Sequence, residues 1–427
     1  MPKTALTKEG WFKYFFGCYT QIVKRFYVVL IMSLTAVNGF AQTSSQRIID
    51  FNKNWKFFLG TDSAAINEDY NDSKWRTLNL PHDWSIESNF SKEFPATSQG
   101  GALPGGIGWY RKTFVLPYEI GSRKLLVEFD GVYQKSEVWI NGNYLGKWPN
   151  GYTSFRYELT KYIKTAPGKN VIVVKVDNSQ QPNSRWYTGS GIYRNVKLIS
   201  PGFFFSDQYS VFITTPVVKK DSAIIIVTGT RADESDHFVR SRLRVSVYSG
   251  EGKKVYSTTS EPGPSLGQGK FIKKIKIANP KLWSTDHPNL YTIKIETLNR
   301  AGIATLEYSS VFGIRQFNFD SKKGFFLNDN PVKIKGVCMH HDLGALGAAF
   351  NKAAARRQLR ILKDMGCNAI RTAHNPPASE FLDLCDQMGF LVMDEAFDMW
   401  QKRKNRFDYH LDFKEWHQRD LESMVLR

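Results

Sequence analysis

Residues Asn368 to Met393, NAIRTAHNPPASEFLDLCDQMGFLVM, constrain the fold more than any other stretch. Asn368 to Thr372 reads as a short strand, Ala378 to Met388 has helical spacing, and Phe390 to Asp394, which opens on the apolar run Phe390 to Met393, reads as a second strand. A strand, a helix and a strand packed this closely call for a parallel pair joined by a helical crossover. Upstream, Val332 to Val337 reads as a further strand. Ala353 to Met365 reads as a helix with Ala355, Leu359, Leu362 and Met365 on one face. The order β-α-β-α-β therefore predicts a parallel sheet from residue 317 onward.

The chain before that point is patterned differently. Lys124 to Phe129, Ser136 to Ile140 and Asn170 to Val176 alternate with a period of two, the mark of half-buried strands. Asn141-Gly142 sits between two such runs. Both residues tolerate positive φ, so a tight hairpin is expected there. Residues 42–200 thus read as a jelly-roll or sandwich domain. Residues 201–316 add runs at Ser222 to Thr228, Leu243 to Tyr248 and Phe271 to Ile277, consistent with an immunoglobulin-like sandwich. The overall expectation is multidomain β plus α/β, with domains at 42–200, 201–316 and 317–427.

Particular residues sharpen this picture. Asn368, Ile370, Arg371, Thr372, Ala373, His374, Pro376, Phe381, Leu382, Asp386 and Gly389 resemble the first signature of glycoside hydrolase family 2. Asn375 departs from it, because an aromatic is usual there. The order Gly108 to Phe114, Phe129 to Val132, Val138 to Gly142 and Ser190 to Arg194 is similar to the family's opening sugar-binding domain. Pro280 to Ser284, with Asp286, Pro288, Leu290 and Tyr291, resembles its second domain. The resemblance implies that residues 317–427 begin a (β/α)8 TIM barrel, incomplete here with about three of the strands.

It also implies a chemistry: retaining hydrolysis of terminal β-D-galactosides in the intact enzyme. The alternatives within the family are a β-glucuronidase and a β-mannosidase. The family's acid/base and nucleophile Glu are expected after Arg427, so no catalytic residue is assigned in this chain. A non-catalytic carbohydrate-binding remnant is the reading from a different class. The expected partner is a β-galactoside or related glycan, and homo-oligomerisation is left open for the intact enzyme.

Barrel active sites lie at the C-terminal ends of the strands. By resemblance His340, His374, Asn375 and Asp394 are the expected substrate-binding residues. His341, Asp342, Arg371 and Glu395 support them, Arg371 as a buried residue whose planar fork suits a carboxylate. Asp394 and Glu395 are not the catalytic pair, since neighbouring strand residues point to opposite faces. One of them is expected to face the barrel mouth. Asn183, Ser184, Arg185 and Trp186 in the first domain are candidates to lean over that mouth. Asp398 and Trp400 do not reproduce a magnesium-liganding segment found in some relatives, so no metal and no cofactor is assigned.

Composition excludes little else. The net charge of +18 is spread along the chain without a nucleic-acid module, and is read as solvated surface. Lys24 and Arg25 precede an apolar run from Phe26 to Val37, and Gly39 and Ala41 put small residues at the two positions a signal peptidase reads. This predicts a signal peptide at 1–41, cleaved after Ala41, and a secreted or periplasmic protein. The three cysteines beyond it, Cys338, Cys367 and Cys385, include no CxxC spacing and are expected as buried free thiols.

Overall fold

A computed structural model describes residues 43–44, 47–116, 124–201, 211–230, 242–260, 270–299 and 301–426. The expected signal peptide and its cleavage point lie outside them. Residues 44–427 cluster as one unit.

The first domain is a sandwich of two antiparallel sheets. Its strands are β1 (Arg47–Asp50), β2 (Trp55–Leu59), β3 (Arg76–Leu78), β4 (Gly106–Phe114), β5 (Leu126–Phe129), β6 (Ser136–Ile140), β7 (Asn143–Trp148), β8 (Phe155–Glu158), β9 (Asn170–Asn178) and β10 (Val196–Ser200). One sheet runs β3-β2-β4-β9-β6-β7 and the other β1-β10-β5-β8. The alternation read from the sequence puts Val127 and Phe129, Val138 and Ile140, and Ile172, Val174 and Val176 into one shared core. The expected hairpin is present. Ile140 pairs with Asn143, while Asn141 and Gly142 adopt φ of 48° and 76°, the left-handed pair a type I′ turn needs.

The second domain packs β11 (Val211–Val218), β12 (Ser222–Thr230) and β15 (Lys270–Ala278) as one sheet, in the order β11-β12-β15. Facing it are β13 (Arg242–Ser249), β14 (Lys254–Thr259), β16 (Leu290–Leu298) and β17 (Ala304–Gly313), in the order β17-β16-β13-β14. Ile225, Val227, Val245, Val247, Ile293 and Ile295 fill the space between. A short hairpin sheet, β18 (Phe317–Asp320), β19 (Gly324–Leu327) and β20 (Asn330–Pro331), follows.

The last part is β21 (Gly336–Met339), α1 (Lys352–Asp364), β22 (Ala369–Thr372), α2 (Ser379–Met388), β23 (Leu391–Asp394) and α3 (His410–Leu426). The three strands pair in parallel, in the order β21-β22-β23, as the sequence pattern required. Ala355 and Leu359 on α1, Phe381 and Leu384 on α2, and Ile370 on β22 form one apolar layer. Asn351 caps α1 by accepting from the Ala354 amide at 3.0 Å.

Four expectations need correction. Residues 332–335 are not a strand. The Asn368 side chain accepts from the Lys335 amide at 2.7 Å and donates to the Lys333 carbonyl at 2.9 Å, while the Val332 amide bonds back to the Phe325 carbonyl and the Lys335 carbonyl accepts from the Asn368 backbone amide, so this backbone divides its bonds among partners that form no continuous ladder. Met365 does not join the buried face of α1, because the helix ends at Asp364 and Gly366 turns away at φ 84°. Cys338 is exposed rather than buried, and of the three described cysteines only Cys385 is fully buried. Arg371 is partly exposed, not buried. Cys338 and Arg371 line a concave face with Phe317, Phe319, Phe325 and Met393, a trough of about 1100 Å³ open to solvent.

Candidate functional site

The C-terminal ends of the three parallel strands carry three loops, and a segment of the first domain lies across them. The first loop follows β21 and runs from His340 to Phe350. The second follows β22 with Ala373, His374 and Asn375. The third follows β23 with Glu395 to Asp398. The crossing segment, Asn183 to Ser190, links β9 to β10.

Trp186 joins these parts. Its ring stacks on His340 at 5.3 Å between centroids and 21° between planes, and meets the edge of His374 at 5.3 Å and 60°. Its indole N–H donates to the Tyr152 hydroxyl at 3.1 Å. His340 and His374 lie 5.7 Å apart. Two histidines and an indole from three separate loops thus share one spot. Burial, and then His374, push His340 below its ordinary pKa, so its ring stays neutral and able both to donate and to accept.

Beside them, the Arg371 guanidinium is ion-paired with Glu395. The His374 Nδ1 atom lies 3.0 Å from Glu395 and 3.1 Å from Arg371. With a proton it donates to the carboxylate; without one it accepts from the guanidinium. Glu395 is therefore the acid turned toward the loops. Asp394 has another partner, the Thr372 hydroxyl, which donates to it at 3.2 Å. Consecutive residues at the end of a strand diverge in this way because of the pleat.

His341 has turned inward. It contacts the Thr188 carbonyl through Nε2 at 3.0 Å and packs against the edges of Tyr152 and Tyr193. Burial, with the Arg194 charge nearby, pushes its pKa down to about 3. It is a structural member of the loop. Asp342 belongs to the same loop; its carbonyl accepts from Gln358 at 3.4 Å. Asn375 is buried, and its side-chain amide nitrogen has no partner among the described residues. It lines two clefts of about 490 and 410 Å³.

The four first-domain candidates divide. Trp186 reaches the barrel loops. Arg185 does too, binding Asp398 through both of its forks at 2.9 and 2.5 Å. Burial raises the Asp398 carboxyl, but Arg185 and Lys404 hold it below the usual range overall. Asn183 is used inside its own domain, accepting from Tyr133 at 3.1 Å and donating to Asn178 at 2.8 Å. Ser184 is buried beside it.

Two further residues hold the site together and were not singled out from the sequence. Arg194, buried, donates to the Tyr152 carbonyl and across to the Pro376 carbonyl, both at 2.9 Å. Asp83 accepts four hydrogen bonds from two domains. Arg194 lay within a recognised motif; nothing local marked Asp83.

Three family models match the chain in succession. They are the sugar binding domain of glycosyl hydrolases family 2 over residues 48–201, the family 2 domain over 208–315, and the family 2 TIM barrel domain over 320–425. A beta-galactosidase of Bacteroides ovatus, BoGH2A, is 47% identical over 395 residues, which are 92% of this chain and 46% of that protein. A putative beta-glucuronidase of Formosa agariphila is 41% identical over 387 residues, 90% of this chain and 36% of that protein. The crystal structure of a beta-glycosidase from Bacteroides vulgatus superposes with a TM-score of 0.81 at 41% identity, covering 89% of this chain and 48% of that one. The chain spans under half the length of each of these three proteins.

Proposed function

Because the chain belongs to glycoside hydrolase family 2, we propose that Trp186, His340 and His374 form the sugar-facing part of a site acting on terminal β-D-galactosides. The observation that carries this is the meeting of Trp186 with both histidines at the strand ends. Trp186, 8% exposed, backs the exposed His340 ring and sets its plane. Imidazole nitrogens suit the hydroxyls of a sugar.

Two observations favour a galactoside over a glucuronide. BoGH2A, the relative 47% identical, carries the name beta-galactosidase. A glucuronide would also present a carboxylate that needs a cation. Around this mouth Arg371 is already paired with Glu395, and Arg185 and Lys404 with Asp398. A neutral sugar leaves those pairs intact. The glucuronide reading rests on the Formosa agariphila relative, a putative beta-glucuronidase.

In the proposed enzyme, hydrolysis is retaining. One carboxyl protonates the leaving oxygen while another, about 5–5.5 Å away, attacks the anomeric carbon. Asp394 and Glu395 do not supply that pair, since Thr372 engages one and Arg371 with His374 the other. Their part is to fix His374 and to place fixed charge beside the bound ring. We infer that residues 48–426 alone bind a galactoside without cleaving it.

Purified chain is the test. It is expected to release no nitrophenol from nitrophenyl β-D-galactoside. It is expected to bind a β-thiogalactoside with a Kd on the order of 1 mM, and Trp186→Ala is expected to weaken this at least tenfold, about 1.4 kcal/mol. Tighter binding of a glucuronide than of the galactoside would replace the substrate assignment. Measurable nitrophenol release would overturn the division of labour.

A further inference from the structure

Asp83 is 2% exposed and lies between His82 and Trp84, outside the loops described so far. Its Oδ1 accepts from the Ser85 amide at 3.0 Å and the Ser190 amide at 2.9 Å. Its Oδ2 accepts from the Ala348 amide at 2.9 Å and the Tyr187 hydroxyl at 2.5 Å. An ionised carboxylate offers about four lone-pair sites and no donor. Here four donors meet it.

The origin of those donors is what matters. Ser190 and Tyr187 belong to the segment that carries Trp186. Ala348 belongs to the loop that carries His340. One carboxylate therefore fixes both backbones whose side chains stack at the proposed sugar-facing spot. The chain is shaped for this approach. Gly189 and Gly347, one in each segment, have φ of 68° and 58°. A Cβ on Gly189 would lie 2.6 Å from the Asp83 carboxylate, and one on Gly347 would crowd the same oxygen. Only residues without a side chain let the two loops close on a common anion.

We propose that Asp83 is a positioning residue, a buried anionic pin that sets the distance between the Trp186 segment and the histidine loop. It touches no substrate and acts through Trp186 and His340. The geometry of the pin stands independently of the function; its consequence for sugar binding rests on the galactoside reading above.

Asp83→Asn keeps the shape but turns an NH2 group toward two of the donors, leaving them unpaired. The readout is the His340 ring proton resonance in full chain carrying labelled histidine, assigned with His340→Asn. In the unchanged protein, stacking under Trp186 shifts this resonance upfield. In Asp83→Asn it is expected to move back toward the free-histidine position. Amide exchange is expected to speed up in both 184–191 and 340–350, at least tenfold, while 106–114 and 170–178 keep their rates. Tyr187→Phe removes one donor only and is expected to give the same two-loop pattern at smaller amplitude. This second variant keeps the test open if Asp83→Asn fails to fold. An unchanged His340 resonance, or loosening of one loop without the other, would overturn the pin. A pin that passes while a β-thiogalactoside fails to bind the unchanged protein would sink the galactoside reading alone.

Discussion

His341 shows how a single residue can be read correctly by type and still be read incompletely. A histidine pair at the end of a barrel strand signals sugar contact, but only His340 faces Trp186. His341 is folded under the loop as a neutral ring. This has a pH signature. The unfolded residue titrates near about 6.5, and the folded one at about 3. Between those values the unfolded chain takes up a proton that the folded chain refuses. Stability from His341 is therefore complete above about 6.5 and falls as the pH drops toward 3, by about 1.4 kcal/mol per unit at most. His341→Gln is expected to flatten the pH dependence of urea unfolding between pH 6 and 4 relative to the unchanged protein. An equal slope in both proteins would show that His341 is charged when folded. At this scale the sequence singled out His340, His374, Arg371 and Glu395, which the fold brings to neighbouring loops, because all sit within short motifs. Asp83 could not be found this way. Its partners Ser190 and Ala348 lie 107 and 265 residues along the chain, and a lone aspartate beside a tryptophan has no period or spacing to mark it.

Elements were legible wherever local pattern and tertiary demand agreed. The Asn-Gly hairpin, both amphipathic helices and the parallel strands are of this kind. The misread segment, 332–335, has strand composition, but the Asn368 side-chain amide takes two of its backbone bonds. Satisfying the backbone is obligatory, and the partner need not be a strand. The end of α2 shows the opposite case, in which a local signal hides a tertiary role. Gly389 caps the helix at φ 75°, as glycine often does. A side chain there would also run into the Thr285 carbonyl of the second domain. Gly252 has a similar φ of 80°, with nothing within 4 Å. Gly252→Ala is thus expected to cost about 1 kcal/mol, the backbone penalty alone. Gly389→Ala is expected to cost clearly more, about 3 kcal/mol. Urea unfolding of the two variants compares them directly, and equal losses would mean that the contact with Thr285 is slack.

The whole molecule is held together by contacts that no sequence pattern contains. The first domain grips the barrel strands and helices at several points: Asp83 on Ala348, Arg194 on Pro376, and Asn195 on Glu380 at 2.6 Å. Helix α3 docks on the same domain. Thr153 donates to the buried Asp420 at 2.6 Å, Ser423 donates to the Ser154 carbonyl at 2.6 Å, and Trp416 meets Trp148 edge-on at 5.4 Å. Domain order and class were readable from periodicity, because each domain buries its own core. The way the first domain completes the mouth was not readable, since it depends on side chains brought together only by folding. A titration of the labelled-histidine protein with β-thiogalactoside tests that completion. Saturable shifts of the His340 and His374 resonances are expected, with His287 of the second domain unmoved. Shifts confined to His287, or none at concentrations well above about 1 mM, would contradict a sugar-facing site built from Trp186 and the barrel loops.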